Sequence, residues 1–592
     1  MPASCELLFK IRGRFLVYYN DSIKKRAMMK SRSASLKPLL CLLCLHGLPV
    51  LGQQGAHCVE LNPAATPSHD FTWKQARWGS KKDFGLGGSV WRVRSIKVNP
   101  LPIFDESNPR EDNFLFKWAN AVHITTREEV LKDQLLFKEG DEVNEKMLAE
   151  SERILRTRQY IGDAAIRILQ ECDDGVDVEI VTREVWTLTP EVSFKSTGGD
   201  SSAAIGIRDT NILGTGQFLS LKYKNNQERS SWGIAYKDPD IGPTHAQAEL
   251  EMTNTSDGHH YGAQLVQPFY ALNDKRSWKV QWESTDEILS QYRFGQRVTE
   301  LEHTVKQVDT LYGISDGVVG GEVKRWSAGV HVSKETWGPG TALPAPAIYD
   351  RSLELNYPFV QFDYIEDNFV TAFNIGSIGR TEDLHVGLRW RNRLGYASNN
   401  AGQIIMQGEL ANTLLYRPGR LLQGTMSWDA RWSDQSSRLE NSAFAAALNY
   451  QQALSERRTL FLGLRAEKVM HLANGKQLEL GGSNGLRGYD THFLDGDGSV
   501  QFTVEQRYFT DYHWLQLARV GFAMFYDAGR IYGNTHPASG ELFQDVGIGL
   551  RLTPSRSVSG QVVHIDLAWP LQRDVPGGTA GRQVAIELKN SF

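Results

Sequence analysis

From about Leu188 to Phe592 the chain alternates apolar and polar residues one by one, in runs separated by turn-forming glycine, asparagine, aspartate and proline. Near the end, Val584, Ile586, Leu588 and Phe592 alternate with Ala585, Glu587, Lys589 and Ser591, and Val563, Ile565, Leu567 and Trp569 with Val562, His564, Asp566 and Ala568. Val546, Ile548, Leu550 and Leu552 stand in the same way against Asp545, Gly547, Gly549 and Arg551, and Val500, Phe502, Val504 and Tyr508 against Gln501, Thr503, Glu505 and Arg507. A period of two places each set on one face of a strand. One face is apolar, the other charged, and no amphipathic helix of three turns breaks the pattern over about 405 residues.

The period is different upstream. Between Val90 and Trp186 it reads strand, helix, helix, strand, strand, opening on Trp91-Val93-Ser95-Ile96-Lys97-Val98. Thr126-Arg127-Glu128-Glu129 predicts a capping box for a helix carrying Val130, Leu131, Leu135 and Leu136. Asn144 predicts the cap of a second helix whose Met147, Leu148, Ser151, Ile154 and Leu155 share a face, with Glu150, Arg153 and Arg156 pointing away. Ala164–Leu169 and Val176–Ile180 flank Asp173-Asp174-Gly175, a strong hairpin signal. Residues 90–186 are therefore expected to form a small α+β domain, and residues 53–89, rich in Pro, Gly, Ser and Lys, a linker.

Composition narrows the context. Among 592 residues the net charge is −4 and the charged fraction 23%, which offers no basic field for nucleic acid. Mean hydropathy of −0.38 excludes a bundle of membrane helices. One apolar run, Pro38 to Leu45, follows Lys30, Arg32 and Lys37 and precedes Val50-Leu51-Gly52, the pattern of a secretory signal over residues 1–52. It is too short for a membrane anchor, and translation is expected to start at Met28 or Met29. Of five cysteines, three leave with that leader. Cys58 and Cys172 remain as a candidate disulfide, with two unpaired thiols the alternative that spacing does not decide.

A greasy strand face meets either a core or lipid. An exported chain with many such segments, and a last strand ending on Phe592, predicts an all-β transmembrane antiparallel barrel of about 16 strands over residues 187–592, behind one N-terminal periplasmic α+β domain. Closure also leaves no unpaired amide in hydrocarbon. The candidate C-terminal barrel signal is Val584, Ile586, Leu588 and Phe592. More segments look strand-like than 16, so the stretch around Gln291 to Tyr312 is expected in a long external loop.

One glycine-rich loop stands out: Gly481-Gly482-Ser483-Asn484-Gly485-Leu486-Arg487-Gly488-Tyr489-Asp490. The next strand but one carries Phe525-Tyr526-Asp527-Ala528-Gly529, where the alternation from Val520, Phe522 and Met524 on the lipid side turns Asp527 to the lumen. A lumenal carboxylate there is placed to hold Arg487 bidentately and pin the loop inside. In this order the two segments resemble the motifs of the BamA/TamA-type superfamily of outer-membrane insertases and translocators, the bacterial surface antigen barrels, which includes two-partner secretion transporters. Leu486-Arg487-Gly488-Tyr489 is similar to its (V/I)RGY/F loop motif, with Leu for Val or Ile, and Phe525, Asp527 and Gly529 match its F-x-D-x-G strand motif. Asp209 to Gly216, Asp238-Pro239 and Gly547 to Arg551 are further matches, and the domain at 90–186 resembles a single polypeptide-transport-associated (POTRA) domain.

The resemblance implies a periplasmic domain whose exposed sheet edge, placed here at Ala164, Ile166, Ile168 and Leu169, captures an extended client by strand addition. It also implies a cofactor-free barrel in the bacterial outer membrane that inserts or translocates polypeptides. The expected partners are unfolded polypeptide clients and outer-membrane lipid, with a periplasmic accessory protein as a further candidate and no nucleic acid. The alternative is a passive pore or surface barrel with a periplasmic docking domain. No phosphate loop, nucleophile elbow or H-E-x-x-H occurs, so no enzyme is expected. His259-His260 point to opposite faces of a strand, and no metal site is expected.

Overall fold

The computed structural model describes residues 58–61 and 90–589, apart from short segments at 198, 294, 341–342, 344–350, 400–401, 473–475, 534–538, 558–560 and 573–580. The expected signal peptide, most of the linker and Phe592 lie outside the described residues.

The N-terminal domain contains β1 (Cys58–Glu60), β2 (Trp91–Leu101), α1 (Phe114–Val122), α2 (Glu128–Asp133), β3 (Glu142–Val143), α3 (Glu145–Thr157), β4 (Ile161–Cys172) and β5 (Gly175–Glu184). Its sheet runs β1-β4-β5-β2-β3, with β2 and β5 parallel. Apolar residues of α2, α3 and the sheet, including Leu131, Leu148, Leu155, Ile166 and Val178, close one core. Asn144 caps α3, its side chain accepting from the Met147 amide at 3.0 Å.

Three local features differ from the sequence expectation. Residues 58–60 are not linker: they add a strand to β4, and Cys58 is disulfide-bonded to Cys172. Thr126 does not cap α2. Its hydroxyl accepts from Asn211 in the barrel and its amide donates to Glu184, because the domain docks there. Helix α1 was not visible as a helix, its sequence Phe-Leu-Phe-Lys-Trp-Ala-Asn-Ala-Val having no polar period.

The barrel strands are β6 (Leu188–Thr197), β7 (Asp200–Asp209), β8 (Phe218–Asn226), β9 (Ser230–Asp238), β10 (Gln247–Thr255), β11 (Gly258–Gln267), β12 (Arg276–Arg293), β13 (Gln296–Val319), β14 (Glu322–Pro339) and β15 (Arg351–Glu366). A short hairpin, β16 (Phe369–Phe373) and β17 (Thr381–His385), intervenes before β18 (Gly387–Ala397), β19 (Gln403–Arg417), β20 (Arg420–Ser433), β21 (Arg438–Ser455) and β22 (Arg458–Met470). A second small pair, β23 (Leu478–Leu480) and β24 (Leu494–Gly496), precedes β25 (Gly498–Trp514), β26 (Ala518–Tyr532), β27 (Phe543–Pro554), β28 (Val562–Pro570) and β29 (Gln583–Lys589).

Leaving out the two small hairpins, these strands close an antiparallel barrel of 20, not about 16. The stretch expected as external loop is part of the wall: Gln291 to Tyr312 pairs along β12 and β13, both far longer than a membrane requires. Its residues alternate as strongly as elsewhere, so an excess of strand signal was real. Outside, Ile205, Trp232, Leu250, Trp326, Met426 and Ile548 are exposed; inside, Glu505, Arg507, Arg551 and Asp566 are buried. An apolar exterior this extensive is incompatible with water, and a closed barrel with a polar interior is the form a β protein takes in an outer membrane. Val520 shares the outer face of β26 with Phe522 and Met524 by register but, unlike them, is buried there.

Closure is uneven. Ten register pairs join β6 to β7 and seven join β28 to β29, whereas Ile586 with Ser196 is the one pair joining β29 to β6 among the described residues. A Lys195–Glu587 ion pair at 3.0 Å supplements this seam.

Candidate functional site

The N-terminal domain enters the barrel at β6 and touches the turns after β7, β9, β11 and β15, so those turns mark the mouth that bears the domain. The loop between β22 and β25 hangs from the opposite mouth and folds inward. Its base is apolar: Leu480, Leu486, Tyr489, Phe493 and Leu494 pack on Ile531 and Phe543 of the wall. Gly488 permits this approach, since a Cβ there would stand 2.6 Å from the Asp545 Cβ. Gly529 likewise leaves room for Leu486, and the Tyr489 hydroxyl lies 2.9 Å from the Gln544 carbonyl.

With the loop so placed, Arg487 meets Asp527 through two hydrogen bonds, Nε to Oδ2 at 2.7 Å and Nη2 to Oδ1 at 3.0 Å. Its Nη1 donates to Glu505 at 3.0 Å and lies 3.6 Å from Asp566, and its guanidinium lies 3.4 Å over the Phe525 ring. Thr503 donates to Asp527 at 2.9 Å. Arg551 pairs with Asp566, and Arg507 donates to Glu505 at 2.9 Å. Three arginines and the carboxylates of Asp527, Glu505 and Asp566 thus share one buried network, with Asp545 buried beside Asp527.

A second inward segment enters from the mouth that bears the N-terminal domain. Hairpin β16–β17 packs Ala372 and Ile375 on Leu421, and Ile378 on Phe509 and Ala523. Arg507 donates to the Ile375 carbonyl at 3.3 Å, so one side chain links the hairpin to the network that holds the loop. Glu382 fixes the hairpin tip by accepting from the Gly376 and Ser377 amides at 2.9 and 2.6 Å; burial raises its pKa despite those amides.

The hairpin is in turn held by the N-terminal domain. Arg156 of α3 donates to both oxygens of Asp383, at 2.7 and 2.6 Å, and Thr381 donates to Asp163 at 3.1 Å. Arg153 lies 3.6 Å over the Phe369 ring, and Lys146 pairs with Asp367 at 2.8 Å. Burial opposes the Arg156 charge, but Asp383 and Glu152 outweigh it and raise its pKa well above the ordinary value. Removing that cation with Arg156→Ala leaves Asp383 and Glu152 uncompensated, a loss of about 3–5 kcal/mol for a buried pair. The hairpin should then leave the mouth, raising both its cleavage by added protease and single-channel conductance; unchanged values for both would mean that Arg156 is not its anchor.

The expected client edge is not open. Glu152 accepts from the Ile166 amide at 2.8 Å, Arg156 donates to the Ala164 carbonyl at 3.0 Å, and Leu61 donates to the Leu169 carbonyl at 3.0 Å, while Ala164, Ile166 and Ile168 are buried in the core. Asn211 and Gly214, from the motif that opens at Asp209, bind Thr126 and Arg127 and so dock the domain. Val584 and Leu588 face outward on β29. His259 and His260 serve separate partners, Asp286 and Thr285. Beside the inward segments the lumen keeps a polar cavity of about 370 Å³ lined by Lys279, Asp309, His331, Arg393 and Arg431.

Fold and site together define a large outer-membrane barrel whose lumen is occupied from both ends. No family model and no curated protein matches the sequence. Among solved structures, BamA from Haemophilus ducreyi lacking POTRA domains 1–3 is similar at 12% identity, covering 84% of this chain and 85% of that one, with a TM-score of 0.36. CdiB from Acinetobacter baumannii is similar at 13% identity, covering 84% and 74%, with a TM-score of 0.44. The FrpB iron transporter from Neisseria meningitidis is also matched, at 7% identity, covering 70% and 84%, with a TM-score of 0.40.

Proposed function

We propose that the chain inserts polypeptides into the outer membrane or passes them across it, without a cofactor, as the motif resemblance implies. The observation that carries this reading is the Arg487–Asp527 lock, in which a buried charge network holds a loop inside a barrel whose first and last strands share one register pair among the described residues. A fixed pore has no need of either feature. The N-terminal domain acts as a POTRA-like receiver over residues 90–186. A client strand that adds to β4 at Ala164–Leu169 must displace Leu61 from the Leu169 carbonyl, while the Cys58–Cys172 disulfide keeps β1 tethered, and compete with Arg156 for the Ala164 carbonyl; Arg156 is also the anchor of the hairpin. Client docking would therefore release Asp383 and clear the periplasmic mouth. The client then meets the seam, where strand exchange between β6 and β29 conserves hydrogen bonds and requires no nucleotide.

The polar cavity favours a second reading, a passive pore with a periplasmic docking domain. Photocrosslinkers at Leu169 and at Val192, on β6 beside the seam, separate the two in living cells. Polypeptide adducts at both positions are expected; lipid adducts alone at Val192 and none at Leu169, together with steady small-ion conductance, would support the pore and refute client handling.

A further inference from the structure

Among the described residues, nothing covers the apolar side of helix α1. Phe114, Leu115, Trp118 and Val122 are 79%, 67%, 55% and 47% exposed, and no residue of the helix is buried. At roughly 100° per residue these four side chains fall within an arc of about 100°. The opposite side is the one engaged by protein: Phe116 stacks on Phe104 at 4.0 Å, and Asn120 exchanges hydrogen bonds with the Phe104 backbone at 2.9 and 3.1 Å. The helix thus turns its apolar side outward, the reverse of a helix packed on a water-soluble domain.

Its position is fixed at the foot of the barrel. Arg556, in the turn between β27 and β28, pairs with Glu111 and donates to the Ile103 carbonyl at 3.1 Å, just before α1. The Trp186 amide donates to the Arg556 carbonyl at 2.7 Å, two residues ahead of β6. Beyond the other end of the helix, His123 lies 2.6 Å from Glu184 at the end of β5. The helix is therefore clamped beneath the sector that contains the β29–β6 seam. Exposed apolar side chains continue around the same periplasmic rim, at Leu188 where β6 begins and at Leu213 after β7.

We propose that the exposed side of α1 lies in the periplasmic leaflet of the outer membrane, with phospholipid as its partner, continuing the barrel's lipid-facing belt beneath the seam. Aromatic and leucine side chains on one side of a short helix, fixed at the level where the barrel leaves the bilayer, match an interfacial helix. An apolar surface that faced the periplasm would have no such reason to be clamped to the rim. The inference depends on the barrel being in a membrane and not on what it transports.

The test uses the full chain reconstituted in phosphatidylethanolamine-containing vesicles, with trifluoromethylphenylalanine at Phe114 and, in a second variant, at Trp118. A control label replaces Asp174 at the β4–β5 turn, roughly 35–40 Å from the barrel end of β4 at about 3.3 Å per residue. Doxyl-labelled phosphatidylcholine should broaden the ¹⁹F lines of the two helix labels at least about threefold more than an aqueous gadolinium chelate does, and the order should reverse at the control. Broadening of the helix labels by the chelate to the level of the control would overturn the proposal. Protection from both agents would overturn it too, since it would mean that a second copy or another protein segment covers α1.

Discussion

Replacing Arg487 with alanine is expected to free the inward loop and to cripple the barrel. The guanidinium sits between Asp527 and Glu505 and over Phe525, and every one of those groups is buried. Without it the carboxylates of Asp527, Glu505 and Asp566 are left with Arg507 and Arg551, a mismatch costing about 3–5 kcal/mol at a buried site. The apolar base formed by Leu486, Tyr489 and Phe493 opposes withdrawal, as do the two hydrogen bonds between Gln477 and the Tyr292 backbone at 2.7 and 2.8 Å, but these ties are uncharged. Cleavage of the loop by external protease should rise, and client insertion or export should fall by roughly tenfold or more, a loss of at least about 1.4 kcal/mol in the step that the lock supports. Arg487→Lys should lie between, because a point charge replaces one of the paired bonds and loses the planar stacking. An Arg487→Ala protein with full export and a protected loop would show that the packing of Leu486 and its neighbours holds the loop alone.

Much of this arrangement is legible in the sequence, and the reason is periodicity. Alternation along β25 to β29 fixes which side chains face lipid, so Asp527 could be placed in the lumen opposite a glycine-rich loop before any geometry was known. The strand count was not legible as a family expectation, because β12 and β13 extend beyond the bilayer and read as surplus. Helix α1 escaped because only Lys117 and Asn120 among its nine residues are polar, too few to mark a period in so short a run.

Long-range charge pairing was the least legible part. On α3 the residues Glu150, Arg153 and Arg156 read as a solvated side, yet the Glu150 carboxylate accepts from the Leu272 amide at 2.9 Å, Arg153 stacks on Phe369 and Arg156 binds Asp383. A charged helix side docked on another charged surface has the same pattern as one facing water. The hairpin had a local signal, two short strand-like runs around Gly376 and Gly379, but nothing local says that it points into the barrel. The partners that occupy the edge at Ala164 to Leu169 were hidden for a similar reason: Glu152, Arg156 and Leu61 are close in sequence or joined through Cys58, and none is readable as a strand cover.

Sealing the seam should stop the protein from working while leaving the barrel intact. Ser196 and Ile586 form the register pair that joins β6 to β29 among the described residues, and directly opposed residues of antiparallel strands have Cα separations within the range that a disulfide spans. Ser196→Cys with Ile586→Cys therefore adds one covalent bond at the register pair that joins these strands among the described residues. A polypeptide that enters membrane or leaves the lumen by exchanging strands at this point needs those bonds to separate, so a permanent link blocks the step and does not merely slow it. Reductant must restore activity to the double variant, and the unmodified chain must be carried through the same treatment because it contains Cys58–Cys172. The decisive measurement is client insertion or export by the oxidised double variant, compared with its reduced form and with the unmodified chain. A loss of roughly tenfold or more on oxidation, reversed by reductant, is the outcome expected of a lateral seam; full activity with the seam covalently closed would contradict it.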